Sequence, residues 1–393
     1  MKIETILPIR SSLATLACIS LALFLVACGG STPTEEVAPE EPAPAEEAPT
    51  SEKSAPAAEK PAPAPEKAET VNVSLFSWPG YGFWFVAKEK GFDQQLGIDL
   101  NISIIEDPYE SFALMAAGRL DTISSTIEYG PIGAKEGLPA RVVSIANTTY
   151  GSDKIIVAPG IESAQDLKGE KVAVMEGGLS QIYMAIFLEK NGLKFDDVEY
   201  VNLIMDDAAG AMIGGTTAAG EFWEPFGGQV LENLKGSRII DQTFDPFWLK
   251  TSLLSDAVFM SDEFIESKPE VAVATLKAYY MAVDYWMKNT EEANKIIAEG
   301  LKFPIEDVQG VIGTEGHFVE GGLYVYSLEE AGAFLGVAEG TPPLEQTNGQ
   351  INELMSLIND WWIKFGFVDE KYPIESMVNT DVLSKVLEPI PKP

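Results

Sequence analysis

Cysteine and histidine are nearly missing from this chain. Its two cysteines, Cys18 and Cys28, both fall within the first 28 of 393 residues. The rest therefore holds no disulfide framework, no thiol redox pair and no thiolate metal site. A body of this length needs no such staples, because it can bury a large apolar core. His317 is the only histidine, so a His-based relay would rest on that residue alone. Basic residues are scarce too: 27 Lys and Arg stand against 60 Asp and Glu, for a net charge of −33. That balance argues against a nucleic-acid partner and against attraction to an anionic lipid surface. Catalytic signatures are absent: there is no G-x-S-x-G elbow, no Walker loop and no dinucleotide glycine fingerprint. No D-x-D-x-D loop offers the converging oxygens that calcium needs. The chain is thus read as a non-enzyme with no cofactor and no resident metal.

What is present begins at the N-terminus. Lys2 and Arg10 precede an apolar stretch from Leu13 that ends in Leu25-Val26-Ala27-Cys28. The apolar run is about 15 residues, short of the ~20 that a spanning helix needs. Basic residues, a short apolar run and small residues before a cysteine read as a signal peptide with a lipoprotein cleavage box. Small residues let the backbone fit the peptidase, and the thiol is the group that is acylated. Residues 1–27 are expected to leave, taking Cys18 with them, and Cys28 becomes the lipidated N-terminus with a palmitate-type chain. The body is then exported and faces the periplasm or the cell exterior, and it touches the membrane only through this anchor. Residues 29–70 alternate Pro, Ala and Glu, as in Pro39-Glu40-Glu41-Pro42-Ala43-Pro44, and hold no aromatic residue. Such a segment cannot bury enough apolar surface to offset its ordering entropy, and proline with like charges keeps it extended. Residues 28–70 read as the lipidated cysteine and a disordered tether.

The folded body starts near Val71, and its length predicts two domains. Val71 to Phe76 alternates as a strand. Phe83 to Lys90 reads as a helix stopped by Gly91, Ile98 to Ile105 as a strand, Tyr109 to Ala117 as a helix closed by Gly118, and Leu120 to Ser124 as a strand. A similar cycle restarts at Lys154, with strands at Ile155–Ala158 and Lys171–Met175, a helix at Ser180–Lys190 closed by Gly192, and a strand at Tyr200–Ile204. Strands alternating with helices predict an α/β protein with mixed, largely parallel sheets. From Asp262 the pattern turns helical. Ser267 and Pro269 open a long amphipathic helix to about Met287, whose stripe of Leu276, Tyr279, Tyr280, Val283 and Trp286 reads as core.

Several motifs in order carry a resemblance. They are Trp78-Pro79-Gly80-Tyr81-Gly82 with Ala87-Lys88-Glu89-Lys90-Gly91-Phe92, then Ala116-Ala117-Gly118-Arg119-Leu120-Asp121, then Ser163-Ala164-Gln165-Asp166-Leu167-Lys168-Gly169 with Lys171-Val172-Ala173-Val174, and Trp223-Glu224-Pro225-Phe226. Over about Val71 to Trp286 the chain resembles the nitrate, taurine and aliphatic-sulfonate branch of ABC-importer substrate-binding proteins. It is also similar to the pyrimidine-precursor binding proteins of thiamine salvage. The resemblance implies a two-lobe periplasmic-binding-protein type II (Venus flytrap) fold with two crossovers, near Tyr150–Asp153 and Leu249–Ser255, and a helical C-terminal part. Lobe 1 would comprise residues 71–152 plus 254–393, and lobe 2 residues 153–253. The partners it implies are a small-molecule ligand and ABC permease and ATPase subunits, with the receptor a monomer. The synthase relatives of this fold carry a cysteine-rich motif that this body lacks. One departure precedes the Trp-Glu-Pro turn, where the family usually shows Gly, two residues, Asp-Ala. Here the run is Gly215-Thr216-Thr217-Ala218-Ala219, and with Gly214 and Gly220 it predicts a poor strand.

Ligands of open α/β sheets sit beyond the carboxyl ends of strands. That rule selects Trp78 and Tyr81 after the first strand, and Ser125 and Thr126 (with Glu128 close behind) after the third. It also selects Asp153 at the crossover, and Glu176, Gly177 and Ser180 after the strand at 171–175. Trp223 and Glu224 join by resemblance. Helix N-termini at Ser125 and at Gly177–Ser180 could hold an oxyanion through backbone donors alone. Against this, the expected lining holds Glu128, Asp153, Glu176, Asp206 and Glu224 but only Lys154 as a cation. Carboxylates mixed with Trp78, Tyr81 and Trp223 suit a cationic or nitrogen-rich organic compound, guanidinium-like or aminopyrimidine-like, through charge-assisted bonds and cation–π contact. The alternatives are a receptor for a small anion (sulfonate, taurine, nitrate or bicarbonate) and a ligand-sensing lipoprotein without transport.

The tether is directly testable. Cys28→Ser removes the only acceptor for the lipid, so the protein should leave the membrane fraction while its body still binds ligand. Retention in the membrane after a carbonate wash would show that the anchor lies elsewhere.

Overall fold

A computed structural model describes residues 68–388 except Phe318. Cys28, the expected signal peptide and the tether lie outside the described residues. The expected α/β alternation is present, built as two sheets. The first has six strands in the order β11-β4-β10-β3-β1-β2. They are β1 (Glu69–Leu75), β2 (Ile98–Ile104), β3 (Thr122–Thr126), β4 (Ala140–Tyr150), β10 (Ser255–Ser261) and β11 (Gly322–Val325). The second has five strands in the order β7-β6-β8-β5-β9. They are β5 (Lys154–Val157), β6 (Lys171–Val174), β7 (Glu199–Asn202), β8 (Ala219–Phe222) and β9 (Arg238–Gln242).

The sheets are less parallel than the sequence pattern predicts. β1 runs parallel to β2 and β3, and β6 runs parallel to β7 and β8. The strands next to the crossings between sheets enter antiparallel: β10 against β3 and β4, β11 against β4, and β5 against β8 and β9. The βαβ rhythm marks the parallel part. β4, β9, β10 and β11 have no helix of their own rhythm to mark them and escape a period count. β11 also interrupts the stretch after Asp262 that reads as wholly helical. His317 stands in a bend before β11, with Nε2 2.7 Å from the Tyr324 hydroxyl, and not in a helix.

The aromatic stripe is core, as expected. Leu276, Tyr279, Tyr280, Val283 and Trp286 of the helix Pro269–Lys288 are all buried. They receive the opening helix Phe83–Glu89: Phe83 meets the Trp286 ring at 5.3 Å and the Tyr279 ring at 5.9 Å. Trp84 meets the Tyr279 ring at 4.9 Å and donates its indole N–H to Ser124 Oγ at 2.7 Å. Each such side chain contributes on the order of 1.5–3 kcal/mol through burial, which fixes the loop between β1 and this helix.

Gly220, expected to weaken its strand, sits in β8 between β6 and β5. The Phe222 ring, two residues on and so on the same face, folds over the bare Cα. A Cβ at Gly220 would lie 2.6 Å from Phe222 Cζ and 3.4 Å from Ala173 Cβ. The strand thus uses a glycine to seat a ring. Gly220→Ala should destabilise the protein by about 1–3 kcal/mol, as overpacking does in tight cores, read as a lower urea midpoint with unchanged slope. An unchanged midpoint would mean that the ring moves aside freely.

Candidate functional site

Three neighbouring strands present residues to a common cleft. In register across β3, β10 and β4 lie Thr126, Asp256 and Asn147. The β10–β4 register slips by one residue between Asp256 and Ala257. Such a bulge re-aims a side chain, and Asp256 lines the cleft. The space measures about 310 Å³, part of it open to solvent, and is lined also by Phe76, Trp78, Thr149, Asp153, Leu179, Trp223, Leu254 and Leu323. The first sheet and its loops supply most of the lining; Asp153, Leu179 and Trp223 belong to the chain around the second sheet.

Asp256 is the most connected group. Its Oδ2 accepts the Trp78 indole N–H at 2.9 Å, and its Oδ1 accepts the Tyr81 hydroxyl at 2.7 Å. Burial pushes its carboxyl up to about 7, against the pull of these donors. Burial, reinforced by the Asp256 charge, pushes the Tyr81 phenol well up as well. Trp78 then faces Trp223 at 6.4 Å, and Phe76 faces Trp223 at 5.7 Å. The result is a three-ring wall with a carboxylate behind it.

Three more acids are buried nearby. Burial pushes Glu128 up to about 8, partly offset by the hydrogen bond from Thr126 Oγ1 at 2.6 Å. Asp153 accepts from Ser152 Oγ at 3.0 Å and is likewise raised by burial. Glu221 on β8 is raised well above its ordinary value by burial and then by the Asp153 charge, and neither of its oxygens meets a protein hydrogen-bond partner. Close like charges with burial favour the protonated form of at least one of them.

The expected residues divide into three groups. Trp78, Thr126, Asp153 and Trp223 line the cleft. Tyr81 and Ser125 are fully buried behind it, Tyr81 as a donor to Asp256 and Ser125 with no partner for its hydroxyl. The remaining four do other work. The Glu176 amide donates to Asn202 Oδ1 at 3.0 Å, the Gly177 amide to Gln181 Oε1 at 2.8 Å, and the Met175 amide to Ser180 Oγ at 2.7 Å. Within Gly177–Ser180, the Gly177 and Gly178 amides are thus held internally, the latter by the Met175 carbonyl at 3.1 Å. Gly177 is held at φ 72°, accepts the Tyr109 hydroxyl on its carbonyl at 3.3 Å, and has no room for a Cβ, which would fall 2.0 Å from Tyr109 Oη. Glu224 pairs with buried Lys154 and accepts the Gly228 amide at 2.8 Å, so it pins its own turn. Asp206 lies with Glu106 on a second space of about 510 Å³ that shares the Trp223 wall.

Residues that pattern reading misses are Asp256, Asn147, Thr149, Phe76, Leu179, Leu254, Leu323 and Glu221. Asp256 carries a signal: it is a lone acid in the apolar run Leu253 to Met260, at an expected crossover. The others look like ordinary strand residues.

Raised carboxyl values link stability to pH. Glu128 goes from 4.5 to about 8 and Asp256 from 3.8 to about 7, so the native state keeps protons that the unfolded chain releases. Their contribution is full below the unfolded values and is lost as pH rises through about 7 to 8. The Tm should fall between pH 5 and 8.5, and Glu128→Gln or Asp256→Asn should flatten that fall. An equally steep fall in both variants would place these carboxyls in water.

Comparison with known proteins adds the fold and the family. A putative binding protein of Brucella abortus is 27% identical over 217 residues, 55% of this chain and 66% of that protein, so the chain spans just under two thirds of that relative's length. A putative aliphatic sulfonates-binding protein of Bacillus subtilis is 24% identical over 314 residues, 77% of this chain and 84% of that protein. Among solved structures, the alkanesulfonate-binding protein SsuA from Xanthomonas axonopodis pv. citri, bound to MOPS, superposes with a TM-score of 0.63 at 13% identity, covering 80% of this chain and 99% of that one. The two-sheet body is thus the two-lobe fold of periplasmic binding proteins. The family model described as NMT1/THI5 like matches residues 78–293, more than half of the sequence, and the chain belongs to that family.

Proposed function

We propose that the protein is an extracytoplasmic solute receptor that captures a small cationic or nitrogen-rich organic compound between its lobes and hands it to an ABC importer. The observation that carries this reading is the lining of the cleft: Asp153 and Asp256 stand among the rings of Phe76, Trp78 and Trp223, with no Lys, Arg or His. An anion would be repelled by these carboxylates, the more so as the cleft dries. A cation gains charge-assisted hydrogen bonds and ring faces together. Lys154, the basic residue nearest the cleft in sequence, is already paired with Glu224. In this reading residues 153–253 move as one lobe on the segments before β5 and after β9, and closure buries the ligand. Export and lipid anchoring through Cys28 belong to the same proposal.

A receptor for a small anion is the second reading. It is favoured by Trp223 Nε1, a buried donor that meets no protein acceptor, and by the sulfonate ligands that the relatives' names carry. Protonated Asp256 and Glu128 would soften the repulsion.

A thermal-shift panel near neutral pH separates the two. It should set guanidine, agmatine and aminopyrimidines against taurine, alkyl sulfonates, nitrate and bicarbonate, with and without calcium. A tight ligand at high excess stabilises by mass action and should raise Tm by several degrees. Asp153→Asn should weaken a cation by ~1.5–3 kcal/mol, the range for a hydrogen bond to a charged group, and should spare a neutral analogue. Trp78→Ala should weaken both, because it removes contact area. A large shift with taurine, a sulfonate or nitrate, and none with any amine or amidine, selects the anion.

A further inference from the structure

The outer space beside Trp223 has a chemistry of its own. It measures about 510 Å³, part of it open to solvent, and none of its lining residues is basic. Met175, Ile204, Met205 and Phe226 join Trp223 as an apolar wall, and the charged lining residues are Glu106 and Asp206. Methionine is pliant and adapts to chains of varied shape. Glu106 is held in place, its Oε2 accepting the Ser77 amide at 3.1 Å and its Oε1 the Ser77 hydroxyl at 2.5 Å. Asp206 is exposed in the first turn of the helix Met205–Ile213. The same loops build both spaces. After β1, Phe76 and Trp78 line the inner cleft, while Ser77 between them holds Glu106. After β6, Met175 lines the outer space and Leu179 the inner one. After β8, Trp223 lines both. The outer space also takes residues just beyond β2 and β7, an edge strand of each sheet. It therefore lies at carboxyl ends of strands, where ligands of such sheets gather.

We propose that the outer space is a second subsite, which takes the substituent of the ligand, so that the receptor binds an elongated cation. Its positive head lies at Asp153 in the inner cleft, its apolar chain runs along Trp223, and a second positive group ends at Glu106 and Asp206. This rests on the cation reading above and narrows its ligand class. A head group alone leaves the Met175, Met205 and Phe226 wall in water, whereas a chain that covers the wall gains the hydrophobic term. A terminal amine meets two carboxylates, but both residues are exposed. Exposed ion pairs are weak and are screened by salt, so the chain contributes more than the end group.

The test is calorimetric titration of the wild type, Phe226→Ala and Asp206→Asn with guanidine, butylguanidine and agmatine. The three compounds share a head; the second adds the chain and the third the far amine. Butylguanidine should bind about fivefold or more tightly than guanidine, as partial burial of its methylenes predicts. Agmatine should bind about twofold to threefold more tightly again, the worth of a screened ion pair, and this second gain should shrink in high salt. Phe226→Ala should lower the ratio of butylguanidine to guanidine affinity, and Asp206→Asn the ratio of agmatine to butylguanidine affinity. Asp206→Asn is a surface change and keeps the test decisive if the Phe226 variant does not fold. Guanidine bound by the wild type, with butylguanidine and agmatine no tighter, overturns this inference and leaves the cation reading standing. Ratios that stay at the wild-type level in the variants that fold overturn it in the same way. Binding of none of the three compounds overturns both.

Discussion

A single buried carboxylate ties the cleft together. Asp256 receives the Trp78 indole N–H and the Tyr81 hydroxyl, which stand 178 and 175 positions away in sequence. A buried carboxyl is costly unless donors meet it, and these two donors are themselves buried and would be orphaned without it. The loop after β1, the bulge in β10 and the ring wall therefore depend on one another. The bulge turns the side chain inward, the side chain orients Trp78, and Trp78 meets Trp223, which follows β8 of the second sheet. Change the acid and both the charge and the shape of the cleft change with it.

Acids gather at and near the cleft. Asp256 comes from β10 and Glu128 from the turn after β3, Asp153 and Glu221 from the region of the second sheet. Each is raised chiefly by burial, and each lies within the field of at least one other. They therefore titrate as a set, not as four independent groups. Burial of four acids this near one another favours retained protons on some of them.

Much of the architecture is legible in the sequence, because the βαβ units announce themselves by a change of period and by glycine stops. Gly91 and Gly118 do take up positive φ at the ends of their helices. The antiparallel strands are illegible for a plain reason: β4, β10 and β11 are buried on both faces, so no alternation marks them. Half of the cleft was hidden by the same cause. Asn147 and Thr149 sit on a long buried strand, and only tertiary register sets them beside Asp256. The carboxyl-end rule points to Trp78, Thr126 and Asp153, which stand where strands stop and line the cleft. It points equally to Glu176 and Ser180, whose local hydrogen bonds no sequence pattern displays.

The wall formed by Trp223 has an optical consequence. Its indole is almost fully buried, at 7% exposure, and its nearest aromatic neighbours, Phe76 and Trp78, lie on the loop after β1. It also divides the inner cleft from the outer space bordered by Glu106 and Asp206. Were this wall to open, water would replace two rings around one indole. Trp223 is thus a chromophore whose emission would respond to such an opening, against the background of six other tryptophans.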